Sequence, residues 1–241
     1  MKHVAKRLVA LSVALTVTAG LAGAADEKQL EEWRSTIRYG IDSELTDVME
    51  QLQERGTSAL NDAIFERYHS TLSDSVRKEI LAFFTEMEYA EAEEAARSVL
   101  ENHRDHGMEL VLQAMRFVSD GTTEPTEASR TAVRALVEES NQRVANAAVR
   151  ALGKIGEEED GSYLMELVAR RTTPADLRNE AILALGSLEH DPATDVLVEL
   201  ATDDDQSITT RRYAVDSLGK IGAESTFSTL RALAGVQNSI I

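Results

Sequence analysis

The chain has 241 residues, 43% of them hydrophobic and none of them cysteine, so it can bury a sizeable core but cannot staple it with disulfides. Its 42 Asp and Glu against 25 Lys and Arg give a net charge of −17. That charge repels phosphate backbones and anionic lipid surfaces, which argues against nucleic-acid and direct membrane binding and favours basic proteins, peptides or cations.

At the N-terminus, Lys2, Lys6 and Arg7 precede an uncharged run from Leu8 to Ala24 that ends Ala22-Gly23-Ala24. Basic residues, an apolar run and small residues in that order describe a secretory signal peptide. The run is rich in Ala, Gly, Ser and Thr, whereas a spanning helix wants about 20 strongly apolar residues. The expected organisation is a signal peptide over 1–24 and one helical domain over 25–241, periplasmic or secreted. No Cys is present to acylate, which excludes a lipoprotein. Removing Lys2, Lys6 and Arg7 takes the net charge from −17 to −20.

Residues 30–120 carry an irregular helical pattern. Trp33 to Gly40 reads as a degenerate first unit, with Leu45, Val48, Met49 and Leu52 on its second helix. Asn61 to Tyr68 reads as an extra helical turn wedged before the next unit. Val76 to Thr85 and Gly107 to Arg116 then carry the apolar spacing of amphipathic helices. The aromatic residues Trp33, Tyr39, Phe65, Tyr68, Phe83, Phe84 and Tyr89 are expected to fill this irregular stack, with an interface as the alternative.

Within this region Glu101-Asn102-His103-Arg104-Asp105-His106 is the densest metal-like cluster. Histidines at i and i+3 with an intervening Asp can share one face of a turn and coordinate zinc. A polar connection between helix pairs explains the same residues, and no third ligand stands out elsewhere. A metal-dependent enzyme around His103 and His106 is therefore the rival reading, and the expectation is no metal and no cofactor. His103-Arg104-Asp105 also matches a kinase catalytic fragment, but no glycine-rich loop or Asp-Phe-Gly accompanies it.

Residues 121–241 are regular. AVRALGKIG at Ala148 to Gly156 returns as AILALGSLE at Ala181 to Glu189 and as AVDSLGKIG at Ala214 to Gly222, a spacing of 33 residues. Leu152, Leu185 and Leu218 fall in one column, Gly153, Gly186 and Gly219 in the next, and Ile155, Leu188 and Ile221 follow. A later set aligns Leu164, Leu197 and Leu230, then Leu167, Leu200 and Leu233. Two apolar helical stripes per period mean a pair of antiparallel helices per unit. The three glycines sit inside a helix, where each costs about 1 kcal/mol against alanine, so they are expected to mark close helix approach. Gly156 and Gly222 suit a left-handed helix end. Thr173-Pro174 and Asp191-Pro192 suit a capping side chain followed by a proline at the first helical position. Arg178 and Arg211 share a column and are expected to tie neighbouring units. The fold class is all-α, an α-solenoid of five to six antiparallel helix pairs.

The stretch Leu177-Arg178-Asn179-Glu180-Ala181-Ile182-Leu183-Ala184-Leu185-Gly186 resembles the first helix of a HEAT repeat, of the subtype shared with phycobilisome-linker lyases. Thr210 to Gly219 matches nearly as well, and Val144 to Gly153 matches except that Ala145 replaces the usual arginine. The resemblance is strong over about 121–235 and weaker over 30–120. It implies an exported bacterial HEAT-repeat protein, and such repeats are mostly scaffolds. Two enzymes of similar architecture fit poorly. Deoxyhypusine hydroxylase holds iron through His-Glu dipeptides, and none of the five histidines here precedes Glu. A bilin lyase works on a cytoplasmic substrate.

Two acidic runs, Glu157 to Asp160 and Asp203 to Asp205, fall just ahead of helix starts, where carboxylates complement the helix dipole. Neither has the alternating oxygens and glycine of a calcium loop. The functional expectation is a non-catalytic interaction module of the bacterial cell envelope that binds a protein or basic peptide on a concave face lined by second helices, with a structural spacer subunit without a specific ligand as a further alternative. Ser162, Glu166, Asp195, Glu199 and Ser228 are its candidate contact residues.

Overall fold

The structure, a computed structural model, describes residues 27–223 together with 226, 227 and 231. The expected signal peptide and Ser228, Leu230 and Leu233 lie outside the described residues. Among the described residues there are twelve α-helices and no strand. In chain order they are α1 (Glu27–Tyr39), α2 (Asp42–Glu54), α3 (Asn61–Ser70) and α4 (Asp74–Glu86). Next come α5 (Glu93–Glu101), α6 (Met108–Asp120), α7 (Glu127–Ala135) and α8 (Gln142–Ile155). The last four are α9 (Glu158–Ala169), α10 (Ala175–Ser187), α11 (Thr194–Thr202) and α12 (Ile208–Ile221).

The helices are too short to be stable alone, and most are amphipathic, so they form by burying apolar stripes against neighbours. Helices α2, α4, α6, α8, α10 and α12 stack directly on one another as a first row. Helices α1, α3, α5, α7, α9 and α11 form a second row, each packed on the first-row helix that follows it. That gives five complete pairs, from α2/α3 to α10/α11. One continuous core runs between the rows, from Trp33 and Ile37 to Ala214 and Leu218.

Backbone proximity in the first row explains the glycine column. A Cβ added to Gly153 would lie 2.7 Å from Cα of Ala184, and one on Gly186 would lie 2.6 Å from Cα of Ser217. Each glycine is thus a notch that receives the small residue of the next first-row helix. At Gly219 no described atom lies within 4 Å of such a Cβ. The repeated arginines act at the row junctions: Arg178 Nε donates to the Val168 carbonyl at 2.9 Å and Arg211 Nε to the Ala201 carbonyl at 3.3 Å. Both cap orphan carbonyls at the end of the preceding second-row helix.

Several local expectations need correction. Helix α2 stacks on α4 and so belongs to the first row, and Asn61–Ser70 is a complete second-row helix, not an extra turn. The phase was hidden because α3 presents Asn61 and Tyr68 among its buried residues in place of the usual leucines. Gly156 is extended, at φ −67° and ψ 162°, and only Gly222, at φ 68°, is left-handed. In the same column Glu189 is left-handed at φ 53°. Pro174 precedes α10 as its N-cap, at ψ 143°, instead of opening its first turn. The aromatic-rich stretch is mainly core: Trp33, Tyr68, Phe83 and Phe84 are buried, and Phe84 stacks on Tyr89 at 4.6 Å, while Tyr39 is 82% exposed.

Candidate interaction surface

The two rows present different surfaces. In the first row, charged residues pair across helices at one-unit separation. Arg116 on α6 reaches Glu86 on α4 at 3.0 Å, and Arg143 on α8 reaches Glu109 on α6 at 3.2 Å. Lys154 on α8 meets Asp120 on α6 at 2.6 Å, and Arg150 on α8 meets Glu180 on α10. Such solvated pairs contribute little each, about 0–1 kcal/mol.

The second row keeps unpaired acid. On α9, Leu164, Leu167 and Val168 turn to the core and leave Ser162 and Glu166, four residues apart, exposed. On α11, Leu197, Leu200 and Ala201 turn inward and leave Asp195 and Glu199 exposed. Glu166, Asp195 and Glu199 have no ion-pair partner among the described residues. Sequence alone did not show what flanks them. Arg170, one turn beyond Glu166, donates to Glu138 at 2.9 Å, and the Tyr163 hydroxyl donates to the same oxygen at 3.0 Å. Arg134 lies 4.7 Å from the Tyr163 ring centre and 3.3 Å from Asp160. The Arg170 and then Tyr163 hydrogen bonds hold the Glu138 carboxyl below its usual range. Burial, then Glu138, pushes the Tyr163 hydroxyl up to about 12. The cations near Glu166 are therefore engaged in joining α7 to α9.

His103 and His106 diverge. His103 Nε2 faces Glu139 at 3.0 Å and its Nδ1 faces the Leu100 carbonyl at 3.1 Å. His106 Nδ1 faces Asp74 at 3.1 Å, and the other Asp74 oxygen accepts from the Gly107 N–H at 2.6 Å. One histidine thus ties its turn to the unit after it, the other to the unit before. Burial acts to raise Asp74, but the Gly107 N–H and His106 outweigh it and hold the carboxyl below the usual range. Arg104 and then His103 do the same for Glu139. Among the described residues no three His, Asp or Glu side chains converge as a metal site.

The acidic runs are local caps. Asp160 accepts from the Glu157 N–H at 3.0 Å, closing a capping box at the start of α9. Asp203 accepts from the Asp205 N–H at 2.9 Å and Asp204 pairs with Arg211 at 2.8 Å.

A groove of about 580 Å³ opens in the second row between α5 and α7, with Leu100, Ala132 and Leu136 at its base and His103 at one end. Its signal in the sequence was the small spacing Ala128, Ala132, Ala135 on α7.

A family model for HEAT repeats matches residues 121–185 and again 168–240. Residues 121–240 are HEAT repeats. The overlap of the two matches over 168–185 is what a tandem array gives, since each match spans about two 33-residue units. The paired-row stacking continues through α2–α6, upstream of the matched residues, with the same alternation of first and second helices. No curated protein matches the chain. No described helix is long and apolar enough to cross a membrane. HEAT repeats generally serve as protein-interaction scaffolds.

Proposed function

We propose that this protein is a non-catalytic interaction module of the bacterial cell envelope that docks a basic protein or peptide along its second helices. One observation carries the reading: Glu166, Asp195 and Glu199, on successive second helices, are exposed and make no ion pair among the described residues. A chain this acidic steers a basic partner, and unpaired carboxylates are where its cations gain most. Ser162 and Ser228 are proposed as hydrogen-bonding contacts of the same surface. The partner is a protein or basic peptide and not nucleic acid, and binding weakens as salt rises.

The test replaces Glu166, Asp195 and Glu199 with Lys together. Binding of a partner recovered by in-cell crosslinking should fall at least tenfold at low salt, with helix content and melting nearly unchanged. Undiminished affinity would overturn the surface. Export is part of the proposal, with the mature chain starting at Ala25, and the intact mass of envelope-fraction protein checks it. Retention of residues 1–24 there would overturn it.

A further inference from the structure

We propose that His103 is a proton-dependent clasp between two units of the stack. As an imidazolium it ties the pair α4/α5 to the pair α6/α7, and as a neutral ring it must let go of one of its two partners.

The argument is a count of donors. Leu100 lies in the last turn of α5, where carbonyls have lost their helical N–H partners, and its oxygen sits 3.1 Å from His103 Nδ1. Across the ring, Nε2 sits 3.0 Å from a carboxylate oxygen of Glu139, in the connection between α7 and α8. A carbonyl and an ionised carboxylate only accept, so both contacts are hydrogen bonds only when both ring nitrogens carry a proton. A neutral imidazole has a single N–H and would aim a lone pair at the other oxygen. The His103 and Glu139 side chains are only 21% and 20% exposed, so an acceptor facing a lone pair there is costly. His106, three residues on, provides the contrast. Its Nδ1 meets Asp74 at 3.1 Å and among the described residues its Nε2 makes no hydrogen bond, so one N–H satisfies it.

The charges facing the ring favour the cation. Besides Glu139, His103 shares the edge of the groove with Glu101 of α5 and Glu127 of α7. Glu101 is already paired with Arg97 at 2.7 Å. Arg104 and Asp105 are its neighbours in the turn, and Arg104 reaches the same Glu139 oxygen at 3.0 Å while remaining 82% exposed. Glu138, next to Glu139, is taken by Arg170 and Tyr163. A histidine just past the end of α5 also meets the negative end of the helix dipole. Arg104 and then His103 hold the Glu139 carboxyl below its usual range, so it remains an acceptor in mild acid. The clasp is therefore complete in mild acid and is lost as the pH rises and the ring gives up a proton. Arg104 stays on Glu139 afterwards, so the boundary between the two units loosens without opening.

Thermal melting at about pH 5.5 and about pH 8.5, on either side of the ordinary histidine range, tests this. His103→Gln should lower the melting temperature by about 2–4 °C at the lower pH and by under about 1 °C at the higher. His106→Gln should show less than half that pH dependence. In a Glu139→Gln background, where the amide can accept or donate, the pH dependence of His103→Gln should disappear. An equal loss at both pH values, or a pH dependence that persists in that background, would sink the clasp. Amide exchange of the parent needs no variant: corrected for intrinsic rates, protection in α7 should fall at least threefold from the lower pH to the higher, with α9 unchanged. Equal protection of α7 at both would also count against it.

Discussion

The first and second rows are built from similar amphipathic helices, yet they treat their surfaces differently. First-row helices meet through backbone, at Gly153 on Ala184 and Gly186 on Ser217, and join their charges across the contact, as in Arg116 with Glu86 and Lys154 with Asp120. Second-row helices pack mainly on the following first-row helix, leave a groove between α5 and α7, and hold Glu166, Asp195 and Glu199 unpaired. The contrast separates the row that sets the stacking from the row that packs less closely on itself. In a solenoid each unit needs only its neighbours for stability, so one face can be given over to recognition.

Substitutions can break that contrast, the largest effect coming from the first row. Gly186→Leu would drive a side chain into the Ser217 backbone and should cost about 3 kcal/mol or more by overpacking, read as a lowered urea midpoint. The opposite sign is expected one unit later, where Gly219→Ala meets no described atom within 4 Å and should gain about 1 kcal/mol of helix propensity. If both glycines respond alike, the notch account of the column is wrong. At the turn between rows, Glu189→Gly should gain about 0.5–1 kcal/mol, because φ 53° is a left-handed conformation that glycine adopts without strain. A loss in thermal melting there would mean that the Glu189 side chain makes a contact worth more than the strain. The smallest effect belongs to the second row: Glu199→Leu should change stability by under about 0.5 kcal/mol, since the site is exposed and unpaired.

How much of this was legible depended on what kind of feature wrote it. The columns of Leu152, Leu185 and Leu218 announced the stack because buried contacts recur once per unit with the same geometry. The notch role of Gly153 and Gly186 followed from the cost of glycine in a helix, while Gly219 broke the pattern because no described helix follows α12. Phase failed in the N-terminal half, where α3 lacks the leucine columns and α2 carries them instead. The left-handed turn residue was misassigned at Gly156 because composition permits that conformation without requiring it. Charge pairing was only half visible. Acids and bases separated by 30–34 residues can be counted, but which of them meet depends on the register between helices. The groove was least legible of all, since it is a lack of bulk at Ala128, Ala132 and Ala135 that matters only opposite Leu100.

The ties between units also have a fixed reach. The Asp74 oxygen that accepts from Gly107 and the Glu93 carboxylate that accepts from Thr126 each bridge 33 residues, and the longest described side-chain hydrogen bond, His103 with Glu139, bridges 36. No described side-chain bond spans the molecule, so no distant ends must find each other before the chain can condense. Low contact order of this kind goes with fast folding, and each finished unit offers its face as a template for the next. The protein can therefore assemble from any internal pair outward, and a chain still emerging from a ribosome or a pore can begin to fold before its last unit arrives.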